Sequence, residues 1–164
     1  MSTEILRVFT DSYDYRIILH LLTIRDKNGI DTTMYSTRIY YQDTDAGGVV
    51  YYANYLKFIE KSWFEYLMSI GISIPEWEAT GTYMIIKNVS LDLIEALKYG
   101  DTITVKTEII MVKNAYFTMS HTVTKDNRPT TRCETKMVCI DKNGKPKRMP
   151  EDFRNKLLQN IKNG

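Results

Sequence analysis

Between residues 83 and 141 the sequence alternates apolar and polar residues with a period of two, in four successive runs near 83–92, 102–112, 116–124 and 131–141. That period stands successive side chains on opposite faces of a strand, so each run reads as a half-buried β-strand. Lys113-Asn114-Ala115 and Asp126-Asn127-Arg128-Pro129 separate the later runs, and Asn143-Gly144 marks a tight turn after the last. Strands joined this closely in sequence pair antiparallel, and the apolar face they create needs a cover.

A single long, largely buried helix is expected over about 53–70. Tyr55, Ile59, Trp63, Tyr66, Leu67 and Ile70 recur at helical spacing, Leu56 and Phe58 widen the stripe, and Gly71 stands in the stop position. Lys61 and Glu65 are expected to pair at i,i+4 on the outer face. A strand over 35–41 precedes the helix, residues 75–81 read as a connection, and Pro150-Glu151-Asp152 starts a short helix ending near Ile161. The class is α+β, and 164 residues suit one domain. The expected division is an N-terminal extension of undetermined structure over 1–33, the main domain over 34–150 and a C-terminal helix and tail over 151–164.

Several function classes drop out on composition. A net charge of +2, with lysine and arginine dispersed, leaves no electrostatic footprint for nucleic acid. Cys133 and Cys139 lie six apart on one predicted strand, about 20 Å from each other, too far to bridge. His20 and His121 are far apart in sequence, so neither a zinc site nor a redox pair is expected. The apolar run at 17–24 falls well below the ~20 residues that span a bilayer. Asp11 and Asp14 precede that run and no small-residue cleavage site follows it, which also disfavours a secretory signal. Reduced cysteines and no signal point to the cytoplasm. No Gly-x-Ser-x-Gly elbow is present, and His121 falls in phase with Phe117, Met119 and Val123, as a core residue would.

The remaining chemistry concentrates in Gln42-Asp43-Thr44-Asp45-Ala46-Gly47-Gly48-Val49-Val50-Tyr51-Tyr52, just ahead of the long helix. Amide groups at a helix N-terminus lack partners and favour negative charge, so they can hold an oxyanion while a nearby carboxylate attacks or activates water. The same residues also suit a plain turn, with aspartates taking local amide bonds and glycines supplying positive φ. A calcium loop does not fit: counted from Asp43, Gly47 stands where a ligand belongs and Asn54 where the bidentate glutamate belongs.

Residues 40–51, followed by Ala53-Asn54-Tyr55, resemble the signature of the 4-hydroxybenzoyl-CoA thioesterase family, most closely its Tol-Pal-associated acyl-CoA thioesterase branch. The resemblance runs from about Met34 to the segment Lys145-Pro146-Lys147-Arg148-Met149-Pro150. Met34 is therefore a candidate natural start, with the upstream residues either a translation-start artefact or an extension. The family implies a hotdog fold, an antiparallel sheet wrapped around a central helix, in homodimers or homotetramers. It implies hydrolysis of an acyl-CoA, short-chain or aromatic, or of an acyl chain on a carrier protein, with no metal or redox cofactor.

By the match, Asp45 is the catalytic acid, as nucleophile or general base, and Asp43 a supporting residue. The backbone N–H of Tyr52 or its neighbour falls on the oxyanion donor. Gly47 and Gly48 let the substrate approach the backbone, and Val49, Tyr51 and Tyr55 line the pocket. Lys145, Lys147 and Arg148 are candidates for the coenzyme A phosphates. Many members of the Tol-Pal-associated branch carry histidine where Tyr52 stands. A second hotdog solution uses a glutamate on the central helix, which would be Glu60 or Glu65. The competing function is a non-catalytic acyl-CoA-binding or scaffold protein of envelope or lipid metabolism.

Overall fold

A computed structural model describes residues 20–25 and 31–161 of the 164, with side chains described from residue 34 onward. One antiparallel sheet, of order β1-β2-β4-β5-β6-β3, carries the fold. Its strands are β1 (His20–Arg25), β2 (Asp31–Arg38), β3 (Tyr83–Leu93), β4 (Thr102–Val112), β5 (Tyr116–Lys125) and β6 (Arg128–Ile140). The helix α1 (Asn54–Ser69) lies on one face, α2 (Ile74–Ala79) follows it, and α3 (Glu151–Gln159) closes the described chain. This is the hotdog arrangement that the motif implied.

Strand alternation decides which face α1 covers. Ile103, Val105, Thr107 and Ile109 of β4 are buried, as are Phe117, Met119, His121 and Val123 of β5. Tyr55, Phe58, Ile59, Ser62, Trp63, Tyr66 and Leu67 form the facing stripe of α1. Two apolar clusters result. One, around Ile39, Val50, Tyr55, Phe58, Leu97, Ile103 and Val123, lies beneath the glycine loop. The larger one, around Leu67, Phe117, Met137 and Phe153, fills the other end.

Four expectations change. β2 starts at Asp31 and pairs with β1, so the sheet continues into the segment set apart as an extension. The segment 75–81 contains α2, a turn and a half of helix entered through Pro75. The β5–β6 turn is shorter than expected: Asp126 (φ 50°) and Asn127 (φ 61°) both adopt the left-handed conformation, and Lys125 pairs directly with Arg128. The expected C-terminal helix stands as α3, with Phe153 and Leu157 fully buried in the larger cluster. Lys61 and Glu65 form no ion pair; those among the described residues include Lys106–Glu108 and Lys125–Asp101. The residues 1–19 and the His20 side chain lie outside what the structure describes.

Candidate active site

The glycine loop is a tight, doubly closed excursion between β2 and α1. Thr44 and Val50 form a bridge across its base, the Asp45 N–H donates to Val49 O (2.9 Å), and the Gly48 N–H donates to Asp45 O (3.0 Å). Gly48 sits at φ +76°, which a residue with a Cβ adopts only under strain. The Gly47 N–H donates to Asp45 Oδ1 at 2.8 Å, and a Cβ at Gly47 would stand 3.0 Å from that same oxygen. Both glycines therefore have local geometric reasons, one for the turn and one for the carboxylate.

The two aspartates point to different environments. Asp43 is buried; its carboxylate accepts the Tyr40 N–H (2.8 Å) and its carbonyl accepts both Asn54 Nδ2–H (2.9 Å) and the Tyr51 N–H (3.0 Å). It ties β2, the loop and the start of α1 together. Asp45 is exposed, held by one amide bond and otherwise free to meet a ligand.

The chain then turns into α1 through Tyr51, Tyr52 and Ala53. The Asn54 N–H donates to Tyr51 O (2.8 Å), whereas no acceptor takes the Tyr52 or Ala53 N–H among the described residues. These are the orphan amides that a helix start leaves open. The Tyr51 and Tyr52 rings pack with centroids 4.7 Å apart, both exposed. The Tyr51 phenol is held above its ordinary value, first by the Tyr52 side chain and least by the negative Asp45.

Four expected site residues are elsewhere. Tyr55 is 2% exposed and faces the core, where its hydroxyl accepts the Leu97 N–H (3.3 Å) and burial pushes its ionisation up. It supports the site from below: the Val50 N–H donates to Leu97 O (2.8 Å) and Val49 bridges to Lys98. Lys145, Lys147 and Arg148 follow β6, at the opposite end of the sheet from the loop, about 35 Å away for an 11-residue strand such as β4. There Lys147 Nζ donates to Thr82 Oγ1 (2.9 Å). The Met149 N–H donates to Asn114 O (2.8 Å), holding this segment beside a hollow of about 500 Å³ lined by Val112–Tyr116 and Arg154. The Arg154 Nε is sealed from solvent without an acceptor. Within one protomer this basic cluster cannot serve Asp45.

Glu60 is exposed on α1, and Glu65, whose carboxyl burial pushes up, lies nearly three turns beyond the helix start. Neither is near the orphan amides. Cys133 and Cys139 are both free and buried, their thiols pushed up to about 11 by burial. Asn54 entered the sequence reading as part of the family signature, with no role of its own, and Leu97 not at all: asparagine at a helix start is an ordinary signal, and Leu97 matters through its backbone.

The thioesterase-like superfamily model matches residues 40–157. The chain is 32% identical over 108 residues to the acyl-CoA thioesterase YbgC of Haemophilus influenzae, covering 65% of this chain and 79% of that protein. It is 27% identical over 128 residues to the acyl-CoA thioester hydrolase YbgC of Escherichia coli, covering 76% and 96%. Among solved structures, a 1,4-dihydroxy-2-naphthoyl-CoA thioesterase from Synechocystis superposes with a TM-score of 0.71 at 22% identity, over 77% of this chain and 96% of that one. That last likeness is one of fold.

Proposed function

The chain belongs to the thioesterase-like superfamily, and on that footing we propose that it hydrolyses an acyl-CoA thioester to a free acid and coenzyme A, with Asp45 as the reacting carboxylate. The observation that carries this reading is a short closed loop that holds an exposed carboxylate, fixed by the Gly47 N–H, and runs directly into the unpaired Tyr52 and Ala53 amides at the start of α1. The thioester oxygen sits against the Tyr52 N–H as negative charge develops on it; losing one such donor costs about 3–4 kcal/mol in the barrier. The ionised Asp45 either attacks the carbonyl carbon or removes a proton from the water that does. In both routes the C–S bond breaks, the sulfur leaves with its electron pair and is protonated, and water supplies the oxygen of the acid product. Carboxylate, water and amide donors suffice for this, so the reaction is proposed to need no metal or redox cofactor. Gly47, Gly48, Val49 and Tyr51 form the wall against which the acyl group and pantetheine lie.

The proposed assembly is a homodimer, with a homotetramer as its higher form, joined through β3. That strand is a sheet edge, and Ile85, Ile86, Val89 and Leu93 along it are exposed, an apolar edge that solvent leaves unsatisfied. Antiparallel pairing of β3 with its copy brings the Tyr83 end of one protomer beside the Leu93 end of the other. The basic cluster of Lys145, Lys147 and Arg148 in one subunit then shares an end of the double sheet with Asp45 of the other, where the coenzyme A phosphates need cations. The proposal extends to a cytoplasmic location, which unpaired buried cysteines suit, and to the Tol-Pal association that the motif's branch suggests. Free-thiol release from acetyl, butyryl, hexanoyl, palmitoyl and hydroxybenzoyl coenzyme A tests it. Acyl-carrier-protein thioesters serve as a further arm, and binding without turnover in every arm would favour the scaffold reading.

A further inference from the structure

Four polar side chains sit where α1 meets the sheet, each no more than 2% exposed: Ser62 on α1, Thr107 on β4, His121 on β5 and Thr135 on β6. They touch in series. Ser62 Oγ donates to Val105 O (3.3 Å) and lies 2.8 Å from Thr107 Oγ1. Thr107 Oγ1 lies 2.9 Å from His121 Nδ1, and His121 Nε2 lies 2.9 Å from Thr135 Oγ1.

Counting hydrogens gives the series a direction. A hydroxyl has one hydrogen. The Ser62 hydrogen goes to the Val105 carbonyl, so Ser62 Oγ must accept from Thr107. The Thr107 hydrogen is then committed, so Thr107 Oγ1 accepts from an Nδ1–H on His121. The ring's Nε2 is left as an acceptor, and the Thr135 hydroxyl donates to it. Running the series the other way would put hydrogen on Nε2 and leave the fully buried Thr135 hydroxyl with no acceptor, a costly orphan. Only one direction satisfies every hydrogen.

We propose that Ser62, Thr107, His121 and Thr135 form a one-way hydrogen-bond chain that fixes His121 in its Nδ1–H form and, through Ser62, sets where α1 and its N-terminal amides sit against the sheet. His121 is a positioning residue in this account. The helix has two polar anchors on the same face, Tyr55 at its first turn on Leu97 and Ser62 about 11 Å further along. Apolar packing alone is non-directional and tolerates small slides; hydrogen bonds at both points do not. The consequence for catalysis rests on the proposed thioesterase reading, and the tautomer and helix placement do not.

The test uses the full chain with nitrogen-15-labelled histidine, which has only two histidines, His121 being assigned by comparison with His20→Gln. The wild type is expected to show His121 protonated at Nδ1 and bare at Nε2. Thr107→Val, close in shape, removes the acceptor for Nδ1–H; the Nδ1 resonance is expected to shift as that hydrogen bond is lost, while the Thr135 hydroxyl keeps the proton off Nε2. Exchange of the Asn54 and Leu56 amides, the ones bonded at the start of α1, should accelerate about tenfold, and kcat should fall about tenfold with KM changed less than about twofold. Thr107→Ser restores all three. Ser62→Ala, which leaves the strands untouched, reads the same amides should Thr107→Val not fold. An Nε2–H form in the wild type, or unchanged amide exchange in Thr107→Val or Ser62→Ala, overturns the proposal. Absence of thioester turnover in the wild type would instead defeat the functional reading, and the tautomer and exchange data would still decide this one.

Discussion

Gly47→Ala separates a catalytic role of the loop from a structural one. Gly47 has no positive φ, so alanine imposes no backbone strain, but its Cβ would stand 3.0 Å from Asp45 Oδ1, tighter than normal contact. That oxygen terminates an exposed side chain, which yields by rotating away. Stability should therefore change by less than about 0.5 kcal/mol, as at other surface positions. What is lost is the 2.8 Å amide bond that aims the carboxylate. A hydrogen bond to a charged group is worth about 1.5–3 kcal/mol, and a displacement of about 1 Å can cost about a hundredfold in rate. Together these predict a fall in kcat/KM of about ten- to a hundredfold with an unchanged urea midpoint. Gly48→Ala is the contrasting control: nothing lies within 4 Å of the added carbon, but φ +76° costs roughly 1–2 kcal/mol of stability. Steady-state thiol release and urea denaturation on both variants decide the matter. Full activity in a folded Gly47→Ala protein would refute the idea that this amide aims the reacting group.

Four further outcomes follow from the same geometry. Tyr55→Phe keeps the ring but strands the buried Leu97 N–H, and should cost about 1–3 kcal/mol in urea denaturation. Phe153→Ala should cost about 3–5 kcal/mol, because α3 fills the main core; a loss below about 1 kcal/mol would refute that role. His121 is held neutral by burial, its ionisation lowered to about 3 from an ordinary 6.5, so between those values the unfolded chain binds the extra proton. Stability from this group is therefore complete above about pH 6.5 and is lost as pH falls, by about 2 kcal/mol at about pH 5 relative to a His121→Gln protein. Arg148→Glu should raise KM for acyl-CoA severalfold and leave it unchanged for N-acetylcysteamine thioesters, which lack the phosphates.

Most of the sheet was legible because β4, β5 and β6 each bury one face, and a period of two survives in sequence whenever one face is wet. α1 was legible for the matching reason at period 3.6. The short α2 escaped because six residues hold too few turns to show a stripe, although Pro75 at its start was a usable signal. The early start of β6 escaped because Asp126 and Asn127 both take positive φ, which compresses an apparent four-residue turn to two and admits Pro129 to the strand beside a bulge. In the site, the loop residues could be named because they are contiguous. Tyr55 looked like a pocket residue from its nearness in sequence, but a residue one place along a helix turns by about 100°, and that rotation carries its ring into the core. The distance of the basic segment from Asp45 in one protomer was not legible because it is set by the length of the intervening strands.

Thiol release from the acyl-CoA panel by the wild type and by a folded Asp45→Asn protein tests the central claim most directly. The two native cysteines are buried, so they contribute little background to a thiol-reactive dye. Turnover by the wild type that drops about 10²- to 10⁴-fold in Asp45→Asn, with the urea midpoint kept, is the predicted result. Equal turnover by both proteins would contradict the assignment of Asp45, and no turnover by the wild type on any thioester would contradict the enzyme itself.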